Sequence, residues 1–400
     1  MDRTTTAPEL PKHWFRRELG RLVSVLSRKY GVHRIELCED AAQTALLRAT
    51  QAWASNMPDE PGAWLYRVAQ NHVLDELRRE KRDERYLASV DLDVTAQQGP
   101  EDDVLRLLFV CADPAIPPES QLVLALKTLC GFSTKEIALR LFQSEDAVHK
   151  RLQRARARLR EDAAIEGIDP DRVNSVLPML YLLFNEGYSS AQPDQVIRRE
   201  LCDEALRLAL LLNEDPSGAR PETDALVALM CLHAARFDAR VDAMGGLLLL
   251  EEQDRTLWDR ELIVRGLEHL GRSARGGAVS RYHAEAGIAA EHCLARTFAE
   301  TNWEAIVGLY DVLERIAPSP LNVLNQAIAL AEWKGPDAGL AAISAIDAPS
   351  WLRDYYLWDA TLGELFRRKG DAERAAAHTR RALAAAPTNA ERALLERRLR

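Results

Sequence analysis

The chain has 400 residues, 47% of them hydrophobic and 28% charged. That is more than one ordinary core accommodates and predicts two or three globular units. Residues 1–163 carry 25 Lys and Arg against 25 Asp and Glu, so the whole net charge of −9 belongs to residues 164–400, and only the first part suits a phosphate backbone. The six cysteines, Cys38, Cys111, Cys130, Cys202, Cys231 and Cys293, lie far apart with no CxxC pair. This spacing argues against a disulfide framework and a zinc site and marks them as reduced core residues. The start MDRTTTAPELPKHW has no apolar h-region, and apolar runs such as Leu247 to Leu250 are far too short to span a bilayer. A cytoplasmic protein without a membrane segment is expected.

Strict alternation is scarce, whereas apolar residues recur three and four apart along most of the chain, so the fold class is all-α. A first block, residues 10–86, has apolar stripes in FRRELGRLVSVLSRKY, CEDAAQTALLRATQAW and PGAWLYRVAQNHVLDELRREKR, which predict a compact unit of three or four helices. In the last of these, Trp64, Leu65, Val68, Ala69, Val73 and Leu77 form one stripe. Arg67, Asn71, His72, Asp75, Arg78 and Arg79 line the other side. Taken alone, that side reads equally well as a solvated surface pairing its own Glu76, Glu80 and Lys81. Residues 87–103 lose helical periodicity and gather Asp91, Asp93, Glu101, Asp102 and Asp103 with Gln, Gly and Pro, the chemistry of an acidic flexible linker.

A second small block, residues 104–163, ends in STKEIALRLFQSEDAVHKRLQRARARLRE. Ser133 or Thr134 is placed to cap a short helix with Ile137, Ala138 and Leu141 inward, Phe142 and Gln143 make a break, and Ser144 caps the next helix. There Ala147, Val148, Leu152, Ala155 and Leu159 form the inner stripe, while Lys150, Arg151, Arg154, Arg156, Arg158 and Arg160 leave the outer face basic. This is the layout of a helix-turn-helix, whose second helix enters the major groove. Glu145, Asp146, His149 and Lys150 fall nearest the base edges, and Arg151, Arg154 and Arg156 fall at the phosphates. From residue 164 to 400 the chain is a series of Ala- and Leu-rich helical segments broken by NEDPSG, GRSARGG, APSP, KGPDA and APTN. In LWDATLGELFRRKGDAERAAAHTRRALAAAP, Leu362, Gly363, Leu365, Gly370, Ala376, Ala382 and Pro387 fall where a tetratricopeptide helix pair wants small and apolar residues, so a large tetratricopeptide-like repeat domain is expected.

CEDAAQTALLRATQAW and PGAWLYRVAQNHVLDELRREKR resemble the second conserved region of sigma factors. With the helix-turn-helix and the long helical extension, the chain is similar to the extracytoplasmic-function subgroup of sigma-70 factors that carries a C-terminal tetratricopeptide-like extension. The resemblance implies two small helical sigma modules: residues 10–86 for core polymerase and the minus-ten element, and residues 104–163 for the minus-35 element. It implies that Glu39, Asp40, Gln43 and Leu47 dock on the clamp helices of the polymerase largest subunit, and that the flap of the second largest subunit is a further contact. It also implies that the helix from Pro61 to Arg82 captures the melted minus-ten element. Promoter opening needs donors for a flipped base, Asn71 and His72, and cations for its flanking phosphates, Arg78, Arg79, Lys81 and Arg82, with Arg67 on the same DNA-binding side.

No Walker loop, HExxH, GxSxG or dinucleotide fingerprint occurs, and His233, His269, His283 and His292 are scattered without ligand spacing. The expectation is a non-catalytic polymerase specificity subunit, acting in promoter recognition, DNA melting and transcription initiation with no cofactor and no metal. The extension is expected to regulate it in cis or to receive a regulatory protein or ligand. In the extension, FNEGY (Phe184 to Tyr188), EEQDR and WDR read as helix caps and interhelical packing rather than a pocket. The competing reading is a helix-turn-helix transcription regulator with a helical sensor domain, which has no need of the pattern in Cys38 to Arg82.

Overall fold

The spacing of apolar residues three and four apart is realised as helix in the computed structural model, which describes residues 12–53, 57–83, 100–141, 143–161, 172–188, 197–242, 246–346 and 348–399. Among the described residues there are nineteen α-helices, short 3₁₀ turns and one isolated bridge between Val241 and Leu247, but no strand. The all-α expectation holds. The chain divides into two compact units, Met1–Leu183 and Phe184–Arg400.

In the first unit, α1 (Lys12–Tyr30), α2 (Ile35–Ala52) and α3 (Pro61–Asp83) bury facing stripes. Leu19, Leu22, Val23 and Leu26 of α1 meet the small residues Cys38, Ala41, Ala42, Ala45 and Ala49 of α2, and Leu65, Ala69, Val73 and Leu77 of α3 complete the core. Alanine on the inner face of α2 brings the helix axes close, which suits burial of a narrow stripe. Trp53 links the three helices, with ring centroids 5.8 Å from Trp14 and 5.4 Å from Trp64.

Four helices follow: α4 (Pro100–Cys111), α5 (Pro118–Thr128), α6 (Thr134–Arg140) and α7 (Glu145–Glu161). The start of α4 corrects one expectation. Asp103, expected in a flexible linker, lies in this helix, is 4% exposed, and accepts a 2.8 Å hydrogen bond from Arg28 Nη1 of α1. The reason is the apolar run Val104, Leu105, Leu107 and Leu108, all buried, with proline at the helix start where its missing N–H costs nothing. Asp91 and Asp93, and the side chains of Glu101 and Asp102, lie outside the described residues.

The division between the units falls within the residues of α8 (Val173–Tyr188). The second unit stacks helix pairs in chain order: α9 (Arg199–Glu214), α10 (Pro221–Ala234), α11 (Arg260–Ser273), α12 (Arg281–Leu294), α13 (Trp303–Ile316), α14 (Pro320–Lys334), α15 (Pro336–Ser344), α16 (Ser350–Arg353), α17 (Tyr356–Arg368), α18 (Ala372–Ala385) and α19 (Asn389–Leu399). The pair α17 and α18 realises the expected repeat unit. A Cβ on Gly363 would meet Thr379 Oγ1 of α18 at 2.7 Å, so only glycine allows this crossing.

Two of these pairs share a clip that the sequence reading left unassigned. Asp224 of α10 takes His269 Nδ1 at 2.7 Å and Arg272 Nε at 3.2 Å from α11. Asp359 of α17 takes His378 Nδ1 at 2.6 Å and Arg381 Nε at 3.1 Å from α18. In both, a histidine and an arginine three residues apart on the second helix grip one aspartate of the first. Of the segments read as caps, EEQDR and WDR behave so: Asp259 accepts from the N–H groups of Glu261 and Leu262 at the start of α11, and Asp254 accepts from Thr256 N, whereas in FNEGY the Glu186 Oε1 is buried without a hydrogen-bond partner among the described residues. Gln253 Oε1 accepts from Arg236, and Arg255 Nη1 donates to the carbonyls of His292 and Ala295. All six cysteines are buried and unpaired with one another, and burial pushes the Cys38 thiol up to about 11.

Candidate nucleic-acid interface

The helix-turn-helix is built as its capping residues dictate. Ser133 accepts from Glu136 N at 3.2 Å while Glu136 Oε2 accepts from Ser133 N at 2.8 Å, a reciprocal capping box at the start of α6. Ser144 Oγ accepts from Ala147 N at 3.2 Å at the start of α7. Phe142, read as part of the break, lies outside the described residues. Ile137 and Ala138 of α6, and Val148, Leu152, Ala155 and Leu159 of α7, are buried, and Ala147 is half-buried. This geometry turns Glu145, Asp146, His149, Lys150 and Arg154 to solvent, with Arg151 half-buried. Lys150, Arg151 and Arg154 have no acidic partner among the described residues. Unneutralised cations along a helix are what a phosphate backbone binds.

On α3 the inner stripe leaves Arg67, Asn71, Arg78 and Arg79 exposed and His72 half-buried on the outer side. Arg78 pairs with Asp75 at 3.2 Å and Arg79 with Glu76 at 2.5 Å. The more C-terminal cations of this face are therefore loosely neutralised by their own helix, through exposed i,i+3 pairs of small energetic worth that a phosphate readily replaces. The side chains of Lys81 and Arg82 lie outside the described residues.

The four polymerase-facing candidates on α2 divide. Asp40, Gln43 and Leu47 form an exposed row at i, i+3 and i+7, and Leu47 is 62% exposed, an apolar side chain without an intramolecular partner face. Glu39 is instead 3% exposed and turned toward α7. There Arg156, one of the expected phosphate contacts, donates from Nη2 to Glu39 and from Nη1 to Glu36 Oε1 at 2.8 Å, and Arg160 Nη1 donates to Glu36 Oε2 at 3.2 Å. Two residues assigned to two different partners thus bind one another. Burial raises the Glu39 carboxyl above its ordinary range, opposed by the charges of Arg156 and Lys127.

A second set of contacts joins the same modules. Arg16 of α1 donates from Nη2 to Glu136 Oε1 at 3.0 Å and lies over the Phe132 ring at 4.6 Å. A Cβ on Gly20 of α1 would sit 2.2 Å from the carbonyl oxygen of Leu129, so the chain passes directly over α1 there. The sequence reading missed this inter-module pairing because its partners are 117 to 124 residues apart, beyond any local periodicity. Among the described residues no group of His, Cys, Asp and Glu is arranged to hold a metal, and no helix is long and apolar enough to cross a membrane.

A module that packs three helices around a tryptophan chain, followed by a helix-turn-helix with an exposed basic helix, is the domain pair of a transcription initiation factor. Residues 14–83 match sigma-70 region 2 and residues 114–159 match sigma-70 region 4, while residues 172–274 match a family of unknown function, DUF6596. The chain is 38% identical over 384 residues to an uncharacterized protein of Rhizobium meliloti (strain 1021), covering 91% of this chain and 90% of that one. It is 34% identical over 128 residues to the ECF RNA polymerase sigma factor SigL of Mycobacterium tuberculosis, covering 30% of this chain and 72% of SigL. The chain belongs to the ECF RNA polymerase sigma factors. No solved structure matches it. Its function is that of an RNA polymerase sigma factor, so its partners are core polymerase and promoter DNA, and the family consists of initiation factors rather than catalysts. The region 2 match supplies what a helix-turn-helix regulator has no need of.

Proposed function

We propose that the free chain is a sigma factor held closed by its own docking residues and opened by core polymerase. Residues 10–86 bind core polymerase and the minus-ten element, a connecting segment from residue 87 ends at the start of α4, the module from α4 to residue 163 reads the minus-35 element, and residues 164–400 regulate. Asp40, Gln43 and Leu47 present the row that meets the clamp helices of the largest subunit, and the 104–163 module meets the flap of the second largest. Arg67, Asn71 and His72 hold melted bases, with Arg78, Arg79, Lys81 and Arg82 on adjoining phosphates. Glu145, Asp146, His149 and Lys150 approach base edges, and Arg151 and Arg154 grip the backbone. The protein works in the cytoplasm, where its polymerase is.

The observation that carries the closed state is the pair Arg156 and Glu39. A carboxylate and a guanidinium taken out of water together hold firmly, because separating them without a new partner leaves a buried charge. Core polymerase and promoter phosphates provide those new partners, Glu39 then completing the docking row and Arg156 the phosphate contacts. The test is energy transfer between dyes on exposed positions of α3 and α7 in the intact chain. Separation should increase when core polymerase is added, and Arg156→Ala should raise the separation before polymerase is present. Unchanged transfer on binding polymerase, in a chain that supports RNA synthesis, would remove the closed state.

A further inference from the structure

In the second unit the inner faces of α13, α14 and α17 enclose a cleft of about 580 Å³, within the range of about 300–1,000 Å³ that small-molecule sites occupy. Phe298, Trp303 and Tyr310 supply an aromatic wall, with Phe298 and Trp303 edge to face at 5.2 Å. His292 stands at its end, its ring 5.4 Å from that of Trp303, and its buried Nδ1 has no hydrogen-bond partner among the described residues. Burial, reinforced by the charges of Arg236 and Arg255 behind it, depresses this imidazole to about 3, so it is neutral at physiological pH.

The charged residues lining the cleft cancel. Arg368 pairs with Glu332, Arg367 pairs with Glu364 at 2.7 Å, and Arg398 approaches Glu364 at 3.7 Å. With Glu251 the lining has three acids and three arginines, which leaves no net charge to select an ion. One wall is fastened across the repeat. Arg397 of α19 donates to the carbonyl of Leu247 at 2.7 Å and lies 3.7 Å from both Asp242 and Glu252, which pins the Leu249–Leu250 segment over the cleft. Such a closure suits a compact molecule better than a long extended peptide.

We propose that this cleft is a binding site for an uncharged, ring-bearing and largely apolar small molecule. The ring lies against Trp303 and Tyr310, and the cancelled charges of the lining favour a neutral occupant. The inference gives the regulatory reading of residues 164–400 a ligand class. It is tested by binding, so its failure is separate from failure of that reading.

The test titrates the full chain with N-phenyl-1-naphthylamine, an uncharged fluorophore with two ring systems and one N–H. In parallel it uses 8-anilinonaphthalene-1-sulfonate, the same skeleton carrying an anion. The neutral probe should bind saturably, one per chain, at least about tenfold more tightly than the anion, since an unpaired charge is costly to desolvate there. Ile328→Arg, at a rim position 39% exposed, should weaken binding about tenfold or more by placing a charged chain in the cleft. Circular dichroism confirms that the variant is folded. Absence of saturable binding, binding untouched by Ile328→Arg, or equal affinity for the anionic probe would overturn the proposal.

Discussion

On α7 of the first unit, Lys150, Arg151 and Arg154 have no acidic partner among the described residues, whereas in the second unit Arg272, Arg281, Arg368 and Arg381 are each tied to a carboxylate. The contrast follows the distribution of charge along the chain, balanced over residues 1–163 and acidic beyond. Cations left unpaired raise the local potential and cost counterions that DNA displaces. Those locked against Asp and Glu fix one helix upon the next and offer a phosphate nothing. Arginine is thus left available to DNA along part of α7 and is committed to packing in the second unit, as it also is at Arg28 and Arg156 of the first.

The largest effect expected from this contrast is on promoter binding. Arg151→Ala and Arg154→Ala should each weaken binding of the polymerase-bound protein to promoter DNA about tenfold at low salt and lower the salt slope by about one, whereas Arg272→Ala should change neither; binding isotherms at several salt concentrations check this. Leu47→Glu should come next, reducing affinity for core polymerase about tenfold while leaving the melting temperature unchanged, because this side chain is exposed in the free chain. Fluorescence anisotropy with purified core enzyme measures the first quantity and calorimetry the second.

Smaller effects fall on the assembly side. Asp359→Asn leaves His378 and Arg381 without their shared carboxylate and should cost the second unit about 1–2 kcal/mol, read by denaturant unfolding, without altering polymerase affinity. Glu186 gives the smallest and the most pH-dependent change. Its Oε1 is buried without a partner among the described residues, and burial pushes its carboxyl up to about 8. The folded chain therefore keeps this proton to higher pH than the unfolded chain, whose glutamates titrate near about 4.3. Stability falls as pH rises between these two values. Glu186→Gln should accordingly raise the melting temperature by about 2–4 °C at pH 9 and by less at pH 5. Equal gains at both pH values would contradict the assignment.

What was legible in the sequence was local. The capping of Ser133 and Ser144, the inner stripes of α3 and α7, and the crossing at Gly363 all follow from spacings of a few residues, and the structure places them as those spacings require. Asp103 escaped because an acidic residue beside glycine and proline reads as linker, whereas the four apolar residues after it draw it into a helix against Arg28. The burial of Glu39 and its pairing with Arg156 could not be read at all. In a helical pattern both look solvated, and the partner that removes them from water lies on a helix 117 residues away. The clips at Asp224 and Asp359 are an intermediate case. A histidine followed three residues later by arginine occurs four times in the sequence, at His13, His233, His269 and His378, and it makes a clip at His269 and His378 because an aspartate of the facing helix is in place there.

The central claim is that α3 and α7 carry different steps of one initiation event. It is tested most directly by following promoter melting through permanganate reactivity of unpaired thymines, with core polymerase and the intact chain, Asn71→Ala or Arg151→Ala. The account predicts that Asn71→Ala still protects the upstream promoter element yet gives little reactivity, while Arg151→Ala loses upstream protection and recovers melting when protein concentration is raised. Loss of upstream protection in Asn71→Ala, or full melting by it at normal occupancy, would contradict the account.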